Sequence, residues 1–345
     1  MDQGSFSLYL KWRSFKQYFM INSTKKLKIF ITGHKGMVGS SLFKFFKKKK
    51  FGKLLFASRS KLNLENFSKV DNFLKKNKPA VIINCAGKVG GILSNSSYPT
   101  EFLNENILIQ TNLIKSAYKN KVPHFINLGS SCIYPKYSKQ PIKEKYLLSG
   151  SLEKTNEAYA IAKIVGLKLC EYYNKQFKTL YLTLMPCNLY GPNDNFDLQN
   201  GHFIPALIRK IIKAKKLKSK TVEIWGTGNP KREVMYVDDL ASAIYFIVNK
   251  KVRNDKKLLK YLNKNSLINV GSGNEYSIKE FAAKIAKVVD CKSSLKFNKS
   301  FPDWTLRKIL DTSLINKLGW RSKISLTQGL NYTIDWYNKE YNWKI

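Results

Sequence analysis

Histidine and acidic side chains are scarce in this chain of 345 residues, which contains 3 histidines and 23 Asp and Glu against 61 Lys and Arg. Its 5 cysteines show no CxxC pair and no spacing typical of metal ligands. With so few candidate ligands, no zinc or other metal site is expected. Unpaired cysteines in a long chain also favour a reducing, cytoplasmic compartment.

Long apolar runs are absent too. No stretch of about 18 or more apolar residues occurs, so no membrane-spanning helix and no membrane partner is expected. Residues 1–24 contain scattered aromatic and basic side chains but no compact apolar core followed by a cleavage site, so they do not resemble a secretory signal. We expect them to form a poorly ordered N-terminal extension.

The basic excess corresponds to a formal net charge of +38, which raises a nucleic-acid-binding hypothesis. The lysines are dispersed apart from the run Lys47–Lys50, and neither a zinc finger nor an RNA-binding aromatic motif accompanies them. We therefore expect no specific nucleic-acid partner. The charge is attributed to a lysine-rich composition, which also helps to capture an anionic substrate. Salt-dependent affinity for DNA would support the alternative.

Short apolar runs alternate with amphipathic stretches over the first half of the chain. The alternation predicts strands at Leu27–Thr32, Lys53–Ser58, Ala80–Cys85, His124–Leu128 and Leu180–Pro186. Helices are predicted between them at Met37–Lys48, Phe67–Asn77, Glu101–Asn120 and Thr155–Gln176. This order is typical of an α/β fold with a Rossmann-type, doubly wound parallel sheet.

A glycine-rich segment joins the first predicted strand to the first predicted helix. It consists of Gly33, His34, Lys35, Gly36, Met37, Val38 and Gly39. Glycines there allow a tight turn and close approach of the backbone to a pyrophosphate, and the helix N-terminus supplies amide donors. The GxxGxxG spacing alone is weak evidence, but its position between strand and helix indicates a dinucleotide site.

The end of the second strand distinguishes NAD from NADP, because an acidic residue there would bind the ribose 2′-hydroxyl. This chain has Ser58-Arg59-Ser60 instead. Arg59 can pair with a 2′-phosphate, and Lys35 in the glycine loop can do the same. NADP is therefore the expected cofactor.

The pattern changes after Pro186, where loops lengthen and Gly, Pro and Asn become frequent. Segments from Val234 to Val248 and from Ile268 to Val270 could return to the sheet. Helices near Ser277–Val289 and Leu326–Lys339 would cap its C-terminal edge. We expect residues 25–187 to bind NADP, with returns near 234–270, and residues 188–345 to form a smaller, mainly substrate-binding α/β region.

Tyr159 and Lys163 are four residues apart on a predicted helix and therefore share one face. A nearby ammonium, together with the positive nicotinamide ring, would lower the tyrosine pKa from about 10. Tyr159 could then exchange a proton with a carbonyl oxygen during hydride transfer. Ser130 follows a predicted strand, and its hydroxyl can bind the same oxygen. An exposed helix face is the alternative explanation of the tyrosine–lysine pair.

Several motifs closely resemble GDP-L-fucose synthases of the extended short-chain dehydrogenase/reductase family. They are GHKGMVGS (33–40), KVGGI (88–92), LGSSCIYPK (128–136), YAIAK (159–163), NLYGPNDNF (188–196) and WGTGNPKRE (225–233). The resemblance extends from about Lys28 to the C-terminus. It implies a cytoplasmic homodimer that converts GDP-4-keto-6-deoxy-D-mannose to GDP-L-fucose, by epimerising C3 and C5 and then reducing the C4 ketone with NADPH.

The resemblance also implies a role for each matching residue. Ser130, Tyr159 and Lys163 form the reductase triad, and Cys132 and His202 are the base and the acid of epimerisation. The cofactor contacts the glycine loop, Arg59, Lys163, His202, Pro186, Cys187, Asn188 and Leu189. The GDP-sugar contacts Lys210, Trp225, Arg232 and Asp303.

Blander explanations exist for several of these residues. Cys132 alone could be a small buried hydrophobic residue and His202 a loop residue. Trp225 could belong to the core, and Arg232 could form a surface ion pair with Glu233.

The implied chemistry suits these residue types. C3 and C5 both flank the ketone, so their protons are acidified through an enolate, and inversion needs a base on one face and an acid on the other. A thiol and an imidazole have ordinary pKa values of about 8.5 and 6.5, within reach of proton transfer near neutral pH. One oxyanion site made by Tyr159 and Ser130 can serve both steps.

Other functions compete with this one. An NAD-dependent nucleotide-sugar 4-epimerase or 4,6-dehydratase of the same superfamily would need neither Cys132 nor His202. A dehydratase would also carry a carboxylate just after the serine position, where this chain has Cys132-Ile133-Tyr134. A cofactor-binding regulator without turnover is disfavoured by the intact Ser–Tyr–Lys set. A sister GDP-sugar as substrate stays open.

Overall fold

The computed structural model describes residues 27–198, 201–301, 303 and 305–341. Strands and helices alternate in its first part. The strands are β1 (Lys28–Thr32), β2 (Lys53–Leu55), β3 (Val81–Asn84), β4 (His124–Leu128) and β5 (Leu182–Pro186). The helices are α1 (Met37–Lys48), α2 (Phe67–Asn77), α3 (Ile92–Ser97), α4 (Pro99–Lys119) and α5 (Glu157–Phe177). The expected extension at residues 1–24 lies outside the described residues.

The second part mixes shorter strands with helices. Its strands are β6 (Asn188–Tyr190), β7 (Thr221–Trp225), β8 (Lys231–Tyr236), β9 (Leu267–Val270), β10 (Glu275–Ser277), β11 (Ser294–Asn298) and β12 (Arg307–Lys308). Its helices are α6 (Phe203–Lys216), α7 (Val237–Val252), α8 (Lys256–Leu262), α9 (Ile278–Val289), α10 (Ser313–Leu318) and α11 (Leu326–Glu340).

The central sheet is parallel, with strand order β2-β1-β3-β4-β5-β9. Phe30 in β1 lies opposite Leu55 on one side and Ile82 on the other. The chain runs outward from β1 to β2 and then returns to β3 on the opposite side of β1. Ligands of doubly wound sheets bind at such a reversal, beyond the carboxyl ends of the strands. The predicted Rossmann-type α/β fold class is confirmed.

Alternate side chains of the sheet enter two different cores, because successive residues of a strand point to opposite faces. In β1, Ile29 and Ile31 belong to the core under α1 and α7, whereas Phe30 belongs to the core under α2 and α4. Both faces are therefore covered by helices. This explains why the strands read as continuous apolar runs in the sequence.

The C-terminal region has a separate core and two small sheets. Strand β8 pairs with β6, β10 and β12, and β7 pairs with β11. Apolar faces of α6, α9 and α11 pack together over these strands. Only two residues of β12 pair with β8, so other contacts must also hold this strand in place.

Many predicted element bounds agree with the structure, including Met37–Lys48, Phe67–Asn77 and His124–Leu128. The segments that were expected to return to the sheet behave differently from each other. Leu267–Val270 pairs with β5, whereas Val234 lies in β8 of a small sheet. From Val237 the chain forms α7, which packs on α1. Parallel strands such as β5 and β9 need a crossover connection of this kind between them.

A chain of buried polar side chains crosses the carboxyl ends of the central strands. Thr32 Oγ1 donates to Asn84 Oδ1 at 2.8 Å, and Asn84 Nδ2 donates to Asn127 Oδ1 at 3.0 Å. Asn127 Nδ2 then donates to Gln110 Oε1 at 3.1 Å, and Gln110 Nε2 to the Ala162 carbonyl at 3.0 Å. This chain links β1, β3 and β4 to α4 and α5.

Lys251 on α7 is a buried amine whose side chain is about 1% exposed. Its Nζ donates a hydrogen bond to the backbone carbonyl of Leu180. Burial lowers the pKa of Lys251 to about 7, although the neighbouring Cys170 acts in the opposite direction. An unfolded chain keeps a lysine protonated up to about pH 10, so folding is linked to loss of this proton.

Replacement of Lys251 by Met is expected to remove a pH dependence of stability. Between about pH 7 and pH 10 the unfolded wild type binds a proton that the folded protein has released, so its free energy of unfolding should rise by up to about 1.4 kcal/mol per pH unit. The variant should lose the part of this rise that Lys251 contributes and keep the part from Lys163, whose pKa is lowered to about 8. Urea titrations between about pH 7 and 9 measure it, with the exposed Lys257→Met as control. Equal slopes in all three proteins would contradict the assignment.

Candidate active site

A cavity of about 1010 Å³ opens beyond the carboxyl ends of the central strands and reaches the C-terminal region. All the residues that the sequence analysis assigned to the site line this cavity. They are Gly33–Gly39, Arg59, Ser130, Cys132, Tyr159, Lys163, Pro186–Leu189, His202, Lys210, Trp225, Arg232 and Asp303. Residues more than 250 positions apart in sequence therefore share one pocket.

The glycine loop forms a tight turn against the start of α1. Gly33 has a φ of +63°, and the Gly36 amide donates to the Gly33 carbonyl at 3.0 Å. A Cβ on Gly39 would lie 2.1 Å from the Gly33 carbonyl oxygen, so the turn can pack on the helix only if this residue is glycine. The first turn of α1 carries no acidic residue. Its free amides and positive dipole end suit a pyrophosphate.

Two cations lie where the phosphate of a cofactor ribose is expected. Arg59 is 72% exposed, and its guanidinium contacts Glu65 at 2.7 Å and Glu105 at 3.5 Å. Lys35 is exposed in the glycine loop, and no ion pair joins it to any described residue. Glu65 and Glu105 also line the cavity, and the sequence analysis missed both. A 2′-phosphate would compete with these carboxylates for Arg59.

Ser130 brings the proposed reductase and epimerase groups together. It lies within hydrogen-bonding reach of both the Tyr159 phenol and the Cys132 thiol. Lys163 Nζ lies 5.6 Å from the centroid of the Tyr159 ring and donates to the Leu128 carbonyl at 3.0 Å. The serine, the phenol and the amine therefore face one pocket.

The protonation of this group differs from the expected one. Burial raises the pKa of Tyr159, Cys132 raises it further, and only the Ser130 hydrogen bond acts the other way. The expectation that Lys163 lowers the Tyr159 pKa is wrong for the protein alone, because burial dominates. Burial also lowers the pKa of Lys163 to about 8. A phenol that keeps its proton suits a proton donor.

Cys132 is buried, 8% exposed, in the turn that follows β4. Burial raises the pKa of its thiol, whereas Lys308, Ser130 and Lys163 act to lower it. The sequence analysis did not assign Lys308 to the site. The structure places it at the cavity wall beside Cys132.

His202 immediately precedes α6, and its side chain is 46% exposed. Its Nδ1 lies 3.7 Å from Asp194 Oδ1, and the Asp194 side chain is only 5% exposed. Burial lowers the pKa of His202, but the nearby Asp194 carboxylate outweighs it and raises the pKa above its ordinary value. Asp194 was missed as a functional residue, although it lies within the NLYGPNDNF motif. His202 can therefore act as an acid near neutral pH.

The far end of the cavity combines an aromatic surface with cations. Trp225 is 36% exposed and stacks on Phe301, with ring centroids 4.5 Å apart. Lys210 Nζ lies 4.6 Å from the centroid of the Trp225 ring. An exposed indole beside a cation suits a flat, anionic ligand.

Arg232 and Asp303 meet at the same end. Burial lowers the pKa of the Arg232 guanidinium, and the charge of Asp303 opposes this. Asp303 Oδ1 also accepts a hydrogen bond from the Thr227 amide at 2.9 Å. The alternative of a surface ion pair between Arg232 and Glu233 is wrong, because Glu233 is 1% exposed and binds backbone amides. Adjacent strand residues point to opposite faces, so this separation is expected.

The loop, the helix end and the two cations together fit a phosphorylated dinucleotide. Such a sheet, with a serine, a tyrosine and a lysine at its carboxyl edge, defines a short-chain type of NAD(P)-dependent oxidoreductase. The NAD dependent epimerase/dehydratase family model matches residues 29–271. The chain therefore belongs to this family, and within it to the GDP-L-fucose synthases.

Individual relatives cover almost the whole chain. GDP-L-fucose synthase 1 of Arabidopsis thaliana is 43% identical, with 92% of this chain and 95% of the relative aligned. GDP-L-colitose synthase of Yersinia pseudotuberculosis is 39% identical, with 92% and 99% aligned. The structure of a GDP-mannoheptose C4 reductase from Campylobacter jejuni with NADP bound is 35% identical, with a TM-score of 0.84 and 92% and 100% of the chains covered.

Loss of the Asp194 charge is expected to lower the pKa of His202. In the wild type, the pKa of His202 should lie above its ordinary value, and Asp194→Asn should lower it, because the imidazolium loses its anionic partner. Proton NMR can follow this, since burial lowers the pKa of both other histidines, to about 3 for His124 and in the same direction for His34, whereas the pKa of His202 is raised. The exposed Asp335→Asn serves as control. A His202 pKa that is unchanged in Asp194→Asn would contradict the pairing.

Proposed function

We propose that this protein converts GDP-4-keto-6-deoxy-D-mannose to GDP-L-fucose, by epimerising C3 and C5 and then reducing the C4 ketone with NADPH. The observation that carries the proposal is the position of Ser130, within reach of both Tyr159 and Cys132 in the cavity that the glycine loop also lines. A single carbonyl oxygen can thus serve both reactions. The family membership and the relatives described above support the same substrate class.

In this proposal, one part of the chain binds the cofactor and another part binds the substrate. Residues 25–187, together with β9, hold NADP, and residues 188–345 mainly hold the GDP-sugar. The amides of the glycine loop would bind the pyrophosphate, with Arg59 and Lys35 at the 2′-phosphate and Pro186–Leu189 alongside. Bound NADPH supplies the hydride for C4.

Epimerisation comes first and depends on the C4 oxygen. Ser130 and Tyr159 donate hydrogen bonds to this oxygen, which stabilises the enolate and acidifies the protons at C3 and C5. Cys132 removes a proton from one face, and His202 returns a proton to the other. The cations Lys308 and Lys163 favour the thiolate of Cys132. Asp194 raises the pKa of His202, which favours the protonated imidazole as the acid.

Reduction uses the same oxygen. Tyr159 holds its proton because burial raises its pKa, and it protonates the C4 oxygen as the hydride arrives. The positive charge of Lys163 then stabilises the tyrosinate until it is reprotonated. The Leu128 carbonyl fixes the amine in this position.

The GDP moiety is proposed to occupy the far end of the cavity. Arg232 can bind the diphosphate through its planar fork of donors. Trp225 offers a face for the guanine, and Lys210 adds charge beside it. Asp303 orients Arg232. A sister GDP-4-keto sugar is the second candidate substrate, because the GDP-L-colitose synthase is nearly as similar as the fucose enzyme.

We further propose a cytoplasmic enzyme without a specific nucleic-acid partner. All 5 cysteines are unpaired, as a reducing compartment favours. None of the helices in the described ranges is long and apolar enough to cross a bilayer.

A homodimer is proposed through the outer faces of α4 and α5. These helices pack against each other and expose Leu108 (44%), Ile161 (41%) and Tyr172 (55%). An apolar face shared by two long helices suits pairing with a second copy related by a twofold axis.

Separation of the two chemical steps tests the proposed function. With GDP-4-keto-6-deoxymannose, the wild type should consume NADPH and form GDP-L-fucose. Tyr159→Phe should reduce the substrate about 10²–10⁴-fold more slowly yet still exchange sugar protons with deuterated water. Cys132→Ser should slow this exchange and leave NADPH affinity intact. The control Cys291→Ser should leave both the exchange and the NADPH affinity intact.

Two outcomes would contradict this assignment. No NADPH consumption by the wild type would exclude the proposed reaction. Equal loss of exchange and cofactor affinity in Cys132→Ser would exclude Cys132 as the base.

A charge within the proposed interface should dissociate the dimer. Ile161→Asp buries an unpaired carboxylate in the apolar face, so sedimentation at micromolar concentration should show monomers. Lys257→Asp on the exposed surface of α8, away from both helices, is the control and should stay dimeric. A monomeric wild type would refute the homodimer.

A further inference from the structure

Glu233 is a buried carboxylate that the proposed chemistry does not use. It lies in β8 next to Arg232, and its side chain is 1% exposed. Arg232 faces the cavity, and Glu233 points to the opposite side of the strand. Burial of a carboxylate costs free energy unless its oxygens are hydrogen-bonded. The hydrogen-bond partners of Glu233 therefore indicate what this side chain does.

The Glu233 carboxylate connects two separate segments of backbone. One oxygen accepts the Gly273 amide at 2.8 Å, in the loop after β9 of the central sheet. The other accepts the Leu310 amide at 2.9 Å, two residues after β12. The side chain thus ties the central sheet to the segment that carries Lys308.

The surroundings of Glu233 give its carboxyl group both backbone hydrogen-bond donors and space. Burial raises the pKa of Glu233 to about 7, and the amides of Leu310, Gly273 and Ser272 oppose this. A Cβ on Gly271 would lie only 2.3 Å from Glu233 Oε1. Glycine at this position therefore leaves room for the carboxylate.

The segment that Glu233 binds at Leu310 also carries the cationic side chain of Lys308. Lys308 lies opposite Arg232 in the β8–β12 ladder, and both side chains line the cavity. Their like charges repel, and Arg232 lowers the pKa of Lys308 in addition to burial. The β8–β12 ladder spans only two residues, and an Arg307–Glu275 ion pair and a backbone bridge at Leu310 also hold the segment. A carboxylate bound to the Leu310 amide adds an anchor next to the repelling cations.

We propose that Glu233 is a positioning residue that clamps β12 to the central sheet and so holds Lys308 beside Arg232 as a paired cation site for the diphosphate of the GDP-sugar. This inference rests on the proposed function, because it assumes that Arg232 binds the diphosphate. Glu233 itself touches neither substrate nor cofactor. It acts through the backbone at Leu310.

Calorimetric titration with GDP and with NADPH tests the clamp. In Glu233→Gln one acceptor oxygen becomes a donor group, so the segment that carries Lys308 should shift and GDP should bind about 10- to 100-fold more weakly. NADPH affinity should stay unchanged. The KM for the GDP-sugar should rise more than kcat falls, which a general loss of stability would not produce. Glu280→Gln, the same change on the exposed surface of α9, is the matched control.

A second variant displaces the Glu233 carboxylate without changing Glu233 itself. Gly271→Ala keeps the carboxylate charged but displaces it, and the same selective loss of GDP affinity is expected. Equal GDP affinity in the wild type and both variants would overturn this inference alone, as would parallel loss of GDP and NADPH binding. A wild type that does not bind GDP would overturn the proposed function and this inference with it.

Discussion

The chain of hydrogen bonds from Thr32 through Asn84, Asn127 and Gln110 to the Ala162 carbonyl is the constraint on which the site depends. These side chains are almost completely buried, where an unpaired polar group is expensive. Each one is therefore held by the next. The chain fixes the carboxyl ends of three strands and sets the position of α5, so the tyrosine and the lysine on that helix reach the serine after β4.

Acidic residues are rare in this protein, and several of the ones it has position cationic groups of the site. Asp194 raises the pKa of His202, the charge of Asp303 favours the charged form of Arg232, and Glu65 pairs with Arg59. Glu233 secures the backbone next to Lys308. The cations cluster at the two ends of the cavity, where the phosphates of a dinucleotide and of a nucleotide sugar would lie. The remaining positive charge is dispersed, and its excess reflects overall composition more than function.

Local patterns predicted most of the fold because they depend on neighbours in sequence. The helix at Met37–Lys48 and the strand at His124–Leu128 were predicted with the bounds that the structure shows. The segment after Val234 was harder, since the choice of a strand partner depends on residues far away in the chain. Its strand joins a small sheet, and only Leu267–Val270 reaches the central one.

The sequence by itself determined the glycine loop, the missing acidic residue at the end of the second strand and the order of serine, tyrosine and lysine. Each of these is a short motif whose meaning lies in its own spacing. Only the tertiary structure decided how these groups are protonated and what holds them. Tyr159 keeps its proton because the folded chain buries it, and the pKa of His202 is raised because Asp194 lies beside it. Burial and charge depend on distances between remote segments, which no local pattern records.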